Sequence, residues 1–142
     1  MPSSTASAAW EGGLKGGKGT FQGNSGAIQG AYTFATRFEG AKGTNPEELV
    51  GAAHAACFSM ALSAGLEKAG KTGTRVSTTA VVTVSMDGGP HITNIKLTTR
   101  GVVPGMDEAG FAAAAEDAKK NCPISQLFKN NATIELDAKL EG

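Results

Sequence analysis

Apolar and polar positions along the chain fall into segments of distinct period. Residues 74–86 (TRVSTTAVVTVSM) alternate, placing Val76, Thr78, Ala80, Val82 and Val84 on one face, the period-two signature of a strand. Asp87-Gly88-Gly89 predicts a turn, and HITNIKLTTRG a returning partner strand. A further strand is predicted where Ile134, Leu136, Ala138 and Leu140 alternate with Glu135, Asp137 and Lys139. Upstream, residues 8–38 read as short strands broken by glycine turns (AAWEGG, GKGTFQG and AYTFATRFE), a small meander with Arg37 on its third strand.

Two segments predict helices. Asn45 suits an N-cap, Pro46 the first helical position, and Glu48 stands three after the cap. This first helix runs to about residue 69, with Gly70 as its stop. Its alanines and glycines would let another backbone come close, so it is expected to pack on a second helix. That second helix spans roughly 107–121 with Asp107 as cap; Cys122-Pro123 breaks it, and PISQLFK makes a further helical turn. The order meander, helix, hairpin, helix, strand is an α+β arrangement rather than a doubly wound sheet.

At 142 residues the chain suits one domain, 1–142. Thirteen basic and thirteen acidic residues balance, and the only basic cluster is Lys119-Lys120, which argues against nucleic-acid binding by phosphate neutralisation. No glycine-rich phosphate loop follows a strand. No apolar run is read as reaching the roughly 18 residues that cross a bilayer, so no membrane partner is expected. MPSSTASAAWEGG has no basic region followed by an apolar core, which leaves the cytoplasm as the expected location. There a lasting structural disulfide is disfavoured, and a transient catalytic one is the usual exception.

That point bears on the two cysteines, Cys57 and Cys122, which lie 65 residues apart. With Pro123 at the first helical position, Cys122 falls at a helix N-cap, where free N–H groups and the helix dipole stabilise a thiolate. The alternative is a small buried hydrophobe before a turn. Cys57 is mid-helix and gains little from the dipole. To lower its pKa by about 2 units takes roughly 2.7 kcal/mol of interaction with the anion, which a partly buried guanidinium can supply. Arg37 is the favoured source; Arg75 and Arg100 are the other arginines, and spacing alone leaves the three open.

His54 shares a helix face with Cys57. It is open to three readings: a base for Cys57, a metal ligand with Cys57, Cys122 and His91, or a packed histidine donating to a backbone carbonyl. Phe58, Met60, Phe111, Leu127 and Phe128 read mostly as core, with some forming an apolar wall to a site. Trp10 reads as a packing anchor.

The segments TRFEGAKGTNPEELVGAAHAACFSMALS and DAKKNCPISQLFK, with WEGGLKGGKG near the start, resemble the osmotically inducible protein C (OsmC) family, whose sister group is the organic hydroperoxide resistance proteins. The resemblance covers nearly the whole chain. It implies an OsmC-like α+β fold, with an N-terminal β-meander and a further antiparallel sheet around two main helices, in an intertwined homodimer. It also implies a thiol-dependent peroxidase acting on hydroperoxides, organic ones by preference, under osmotic and oxidative stress. By motif position Cys57 would be the peroxidatic thiol, Cys122 the resolving one, and Arg37 and Glu47 the activating pair, with no departure at these four positions. The resemblance calls for no cofactor or metal, and suggests a dithiol reductant of lipoyl type. Glu47 and Cys57 stand about 15 Å apart along one helix. If Arg37 bridges both, Glu47 is therefore expected from the other subunit.

Three rivals use the same residues. A non-enzymatic redox sensor or stress-induced binding protein would react stoichiometrically. A metal-binding domain would use the Cys and His residues. A general disulfide oxidoreductase lacks its expected CxxC pair.

Overall fold

A computed structural model describes residues 1–141. The chain forms two compact units, Met1–Leu49 and Val50–Gly142.

In the first unit, strands β1 (Ala6–Glu11), β2 (Lys18–Gly23) and β3 (Gln29–Tyr32) form an antiparallel sheet in that order. The meander is as the glycine punctuation predicts, but its third segment is shorter. AYTFATRFE leaves the sheet at Tyr32 and turns into a short helix, α1 (Phe34–Phe38), which carries Arg37. The cause is local. Thr33 Oγ1 accepts from the Thr36 N–H at 3.1 Å, and Thr36 Oγ1 accepts from the Thr33 N–H at 2.9 Å, a reciprocal cap that starts a helix where the glycine punctuation suggested a strand.

Helix α2 (Pro46–Lys68) begins as expected: Asn45 Oδ1 accepts from the Glu48 N–H at 2.8 Å. The Glu48 carboxylate accepts from the Thr44 hydroxyl, so the glutamate braces the cap from outside the helix. The helix stops before Gly70, whose φ of 76° suits a residue without Cβ.

The second unit holds the rest of α2 and a three-stranded sheet, β4 (Arg75–Ser85), β5 (His91–Val102) and β6 (Thr133–Leu140), in the order β4-β5-β6. β4 and β5 are the antiparallel hairpin. β6, however, runs parallel to β5, which corrects the expectation of an antiparallel second sheet. The chain between them, α3 (Glu108–Asn121) and α4 (Pro123–Phe128), is a helical crossover of the kind a parallel pair requires. Asp107 caps α3 through the Gly110 N–H at 2.7 Å.

The core of this unit lies between its helices and its sheet. Gly51, His54, Phe58, Leu62 and Leu66 recur at three- and four-residue spacing and form the buried stripe of α2. They join Ile95 and Leu97 of β5 and Phe111, Ala115 and Ala118 of α3. The α2 stripe therefore packs on helical partners, as expected, and on the sheet as well. Gly51 allows this approach: a Cβ there would stand 3.4 Å from Val82 and 3.5 Å from the Ala80 carbonyl. A polar chain pins the same helix. Ser59 donates to Thr78 at 2.7 Å, Thr78 and Thr99 hydroxyls lie 3.0 Å apart, and Thr99 donates to the Ser77 carbonyl at 3.2 Å.

An 18-residue window of α2 has a mean hydropathy of 1.6, so by length and composition the helix is apolar enough to cross a membrane. This corrects the expectation that no such run exists: residues 49–66 contain no Asp, Glu, Lys or Arg. Ser, Gly and His interrupt the run without charging it.

Gly101 of β5 lies under Phe111, and a Cβ there would sit inside the van der Waals envelope of the ring. Gly101→Ala is expected to lower the unfolding free energy by about 1–3 kcal/mol through overpacking. Urea denaturation checks this; an unchanged midpoint would place Phe111 elsewhere.

Candidate active site

The four predicted site residues come together as two pairs. Arg37 on α1 and Glu47 in the first turn of α2 form a two-pronged ion pair. Arg37 Nη2 lies 2.6 Å from Glu47 Oε1, and Nε lies 3.1 and 3.2 Å from the two carboxylate oxygens. Such a fork fixes the guanidinium plane more firmly than a single contact would. Both residues belong to one chain, so Arg37 has its glutamate without a second subunit. Phe38 also lies under the guanidinium, its ring centroid 5.0 Å from Arg37 Cζ.

A cleft of about 230 Å³ opens beside this pair, lined by Trp10, Leu14, Tyr32, Phe34, Arg37 and Phe38. Trp10 is 37% exposed and packs edge-tilted on Tyr32, 5.6 Å between centroids. It packs as the sequence reading expects and also lines this cleft. The signal in the sequence was Gly19, its partner across β1 and β2: a Cβ there would meet both Trp10 and Tyr32.

The second pair is Cys57 and Cys122. Both thiols are free, and their sulfurs lie 3.0 Å apart. Cys122 is fully buried, at once the C-cap of α3 and the N-cap residue of α4. Its side chain makes no capping hydrogen bond. The backbone N–H of Ile124, at the start of α4, acts instead on Cys57 and lowers its pKa. The helix terminus expected to favour a Cys122 thiolate thus serves the other sulfur. Burial outweighs that help. It pushes the Cys57 thiol above its ordinary value, and the hydrogen bond shared with Cys122 acts in the same direction.

His54 is fully buried, and its Nε2 lies 2.6 Å from Ser125 Oγ on α4. It is a packed histidine, but its partner is a side-chain hydroxyl where a carbonyl was expected. Among the described residues, no three His, Cys, Asp or Glu side chains converge as metal ligands. Of the expected apolar wall, Phe58 and Phe111 are wholly in the core, whereas Met60 and Leu127 are exposed.

Two free thiols thus stand side by side, one mid-helix on a core element and one at a helix junction. Comparison with known proteins shows the family. Residues 39–137 match the family model described as OsmC-like protein. The chain is 52% identical over 132 residues to the Peroxiredoxin OsmC of Escherichia coli (strain K12), covering 92% of each chain. It is 34% identical over 98 residues to an Organic hydroperoxide resistance protein of Xanthomonas axonopodis pv. citri (strain 306), covering 68% of each. Among solved structures, an organic hydroperoxide resistance protein from Elizabethkingia anophelis superposes with a TM-score of 0.78 at 24% identity, over 96% of each chain. An OsmC-like protein from Mycoplasma pneumoniae does so at 0.78 and 16% identity, over 99% of each, a likeness of fold alone. The chain belongs to the OsmC-like family.

Burial also holds the His54 pKa below its ordinary value. As pH falls below about 6.5, the unfolded chain takes up a proton that folded His54 refuses, so stability is full above that pH and declines towards the depressed pKa. The decline is bounded by about 1.4 kcal/mol per pH unit. Thermal melts between about pH 7.5 and 5 should fall more steeply for the native chain than for His54→Gln; parallel slopes would remove His54 as the cause.

Proposed function

We propose that the chain is a thiol-dependent peroxidase that reduces hydroperoxides, organic ones by preference, through a Cys57 sulfenic acid and a Cys57–Cys122 disulfide. The observation that carries the reading is the free sulfur pair at 3.0 Å, in a chain about half identical to a named peroxiredoxin.

The chemistry runs in three steps. The Cys57 thiolate attacks the outer peroxide oxygen, the O–O bond breaks, and the alkoxide takes a proton and leaves as an alcohol. Cys122 then displaces hydroxide from the sulfenic acid, which departs as water once protonated. An external dithiol of lipoyl type returns both sulfurs to thiols by exchange.

A thiol raised by burial is almost wholly protonated at neutral pH, so the first step needs a cation. Arg37 is that cation. It stabilises the thiolate and the developing alkoxide, while Glu47 fixes its orientation. Glu47 and Cys57 lie ten residues apart on α2, about 15 Å of rise. In this reading the Arg37–Glu47 pair that reaches Cys57 comes from the partner subunit of a homodimer.

The exposed face of α2 fits a mate. Ala52, Ala53, Ala56 and Ala64 leave its backbone approachable, and Met60 is 78% exposed. We assign the apolarity of α2 to that interface rather than to a lipid bilayer. The aromatic cleft beside Arg37 supports the preference for organic peroxides, since an alkyl tail is buried there at a gain of about 0.8 kcal/mol per methylene. The chain acts as a single peroxidase domain, in the cytoplasm, where dithiol reductants are available, during osmotic and oxidative stress.

Steady-state turnover of an alkyl hydroperoxide and of hydrogen peroxide, with a lipoyl or thioredoxin-type reductant, tests the reading; stoichiometric consumption without turnover would sink it. Cys57→Ser should abolish consumption. Cys122→Ser should still form the sulfenic acid, trappable by dimedone, but over-oxidise with excess peroxide. Arg37→Ala should move the pH midpoint of Cys57 alkylation upward by about 1–2 units; an unmoved midpoint means another cation activates the thiol.

A further inference from the structure

Helix α4 meets α2 at a small set of side-chain contacts that repeat with helical spacing. Cys57 of α2 faces Cys122 at the α4 cap. One helical turn away on each element, three residues before Cys57 and three after Cys122, His54 Nε2 meets Ser125 Oγ at 2.6 Å. The Phe128 ring closes the set with its edge on His54, 6.0 Å between centroids.

Three features mark the His54–Ser125 contact as more than filling. Both side chains are buried, His54 at 0% and Ser125 at 2% exposure, so losing either partner leaves a buried polar atom unpaired. His54 Nδ1 has no hydrogen-bond partner among the described residues, a cost that an apolar residue of similar size would avoid. With Nδ1 unpartnered, the network favours the tautomer in which Nε2–H donates to Ser125 Oγ, leaving only a lone pair unmet. Finally, α4 has only six residues and a proline at its start, too short to hold its place by intrinsic helicity.

We propose that His54 and Ser125 are positioning residues: their hydrogen bond fixes the register of α4 against α2 so that the Cys122 sulfur stands in line to attack the Cys57 sulfur. The inference rests on the thiol-peroxidase reading. In the resolving step a Cys122–Cys57 S–S bond forms as the Cys57 S–O bond breaks, and the hydroxyl leaves with the thiol proton as water. Cys122 is oxidised and the sulfenic sulfur of Cys57 reduced. Neither His54 nor Ser125 exchanges a proton in that step. Their effect is on the effective concentration of one sulfur at the other.

Equilibration of the full-length protein against mixtures of reduced and oxidised dithiothreitol, scored by alkylation of free thiols, reads that effect without any peroxide. Ser125→Ala should lower the equilibrium constant for the Cys57–Cys122 disulfide about tenfold, a rise of about 30 mV in reduction potential. Ser125→Thr, which keeps the hydroxyl, should stay within about twofold of the native chain. His54→Phe should lose as much as Ser125→Ala, and the double variant no more than either single one, because both remove one bond. The clamp is overturned if Ser125→Ala keeps the native potential, if threonine fails to rescue, or if the two losses add. A native chain that forms no Cys57–Cys122 disulfide at any buffer ratio would overturn the peroxidase reading together with it.

Discussion

The seating of α2 on the β4–β5 sheet is the constraint from which the thiol site follows. Gly51, His54, Phe58, Leu62 and Leu66 form a single buried stripe, which fixes the rotation of the helix about its axis. The Ser59–Thr78–Thr99 chain adds direction, because each hydroxyl has a specific partner. With rotation fixed, Cys57 lies at the margin of the stripe, partly buried, and presents its sulfur to the start of α4. A large side chain at 51 would lift the helix from Val82 and Ala80, and the sulfur would move with it.

The charges around that sulfur oppose one another. Burial raises the thiol and an α4 amide lowers it. Under the proposed mechanism the deciding cation is Arg37, already locked by Glu47 and flanked by an aromatic cleft. A thiol whose pKa is raised by burial is a weaker nucleophile until a cation stabilises its anion.

Much of the fold was legible from short-range signals. Asn45, Pro46 and Gly70 bracket α2 closely, Asp107 opens α3, and the alternation in β4 and β6 matches their buried faces. Two errors have physical causes. Alternation does not distinguish a parallel from an antiparallel partner, since side chains have period two in both. The helical crossover between β5 and β6 was the feature that should have implied the parallel pair. The glycine punctuation suggests a third strand through Arg37, but the apolar positions Ala31, Phe34, Ala35 and Phe38 have helical spacing, and Thr33 and Thr36 form the cap that starts α1. At the site, residue types and spacing supplied the cysteines, Arg37 and Glu47. The Ser125 contact was invisible because serine carries no signal until a buried histidine is found opposite it.

The crossover also governs when the two sulfurs can first meet. Cys57 leaves the ribosome well before Cys122, and β6, which completes the parallel pair, follows later still. Pairing across such sequence separation forms late in folding. A nascent chain therefore carries its two thiols apart through most of its synthesis, and the sulfur contact arises only once the surrounding scaffold is nearly whole.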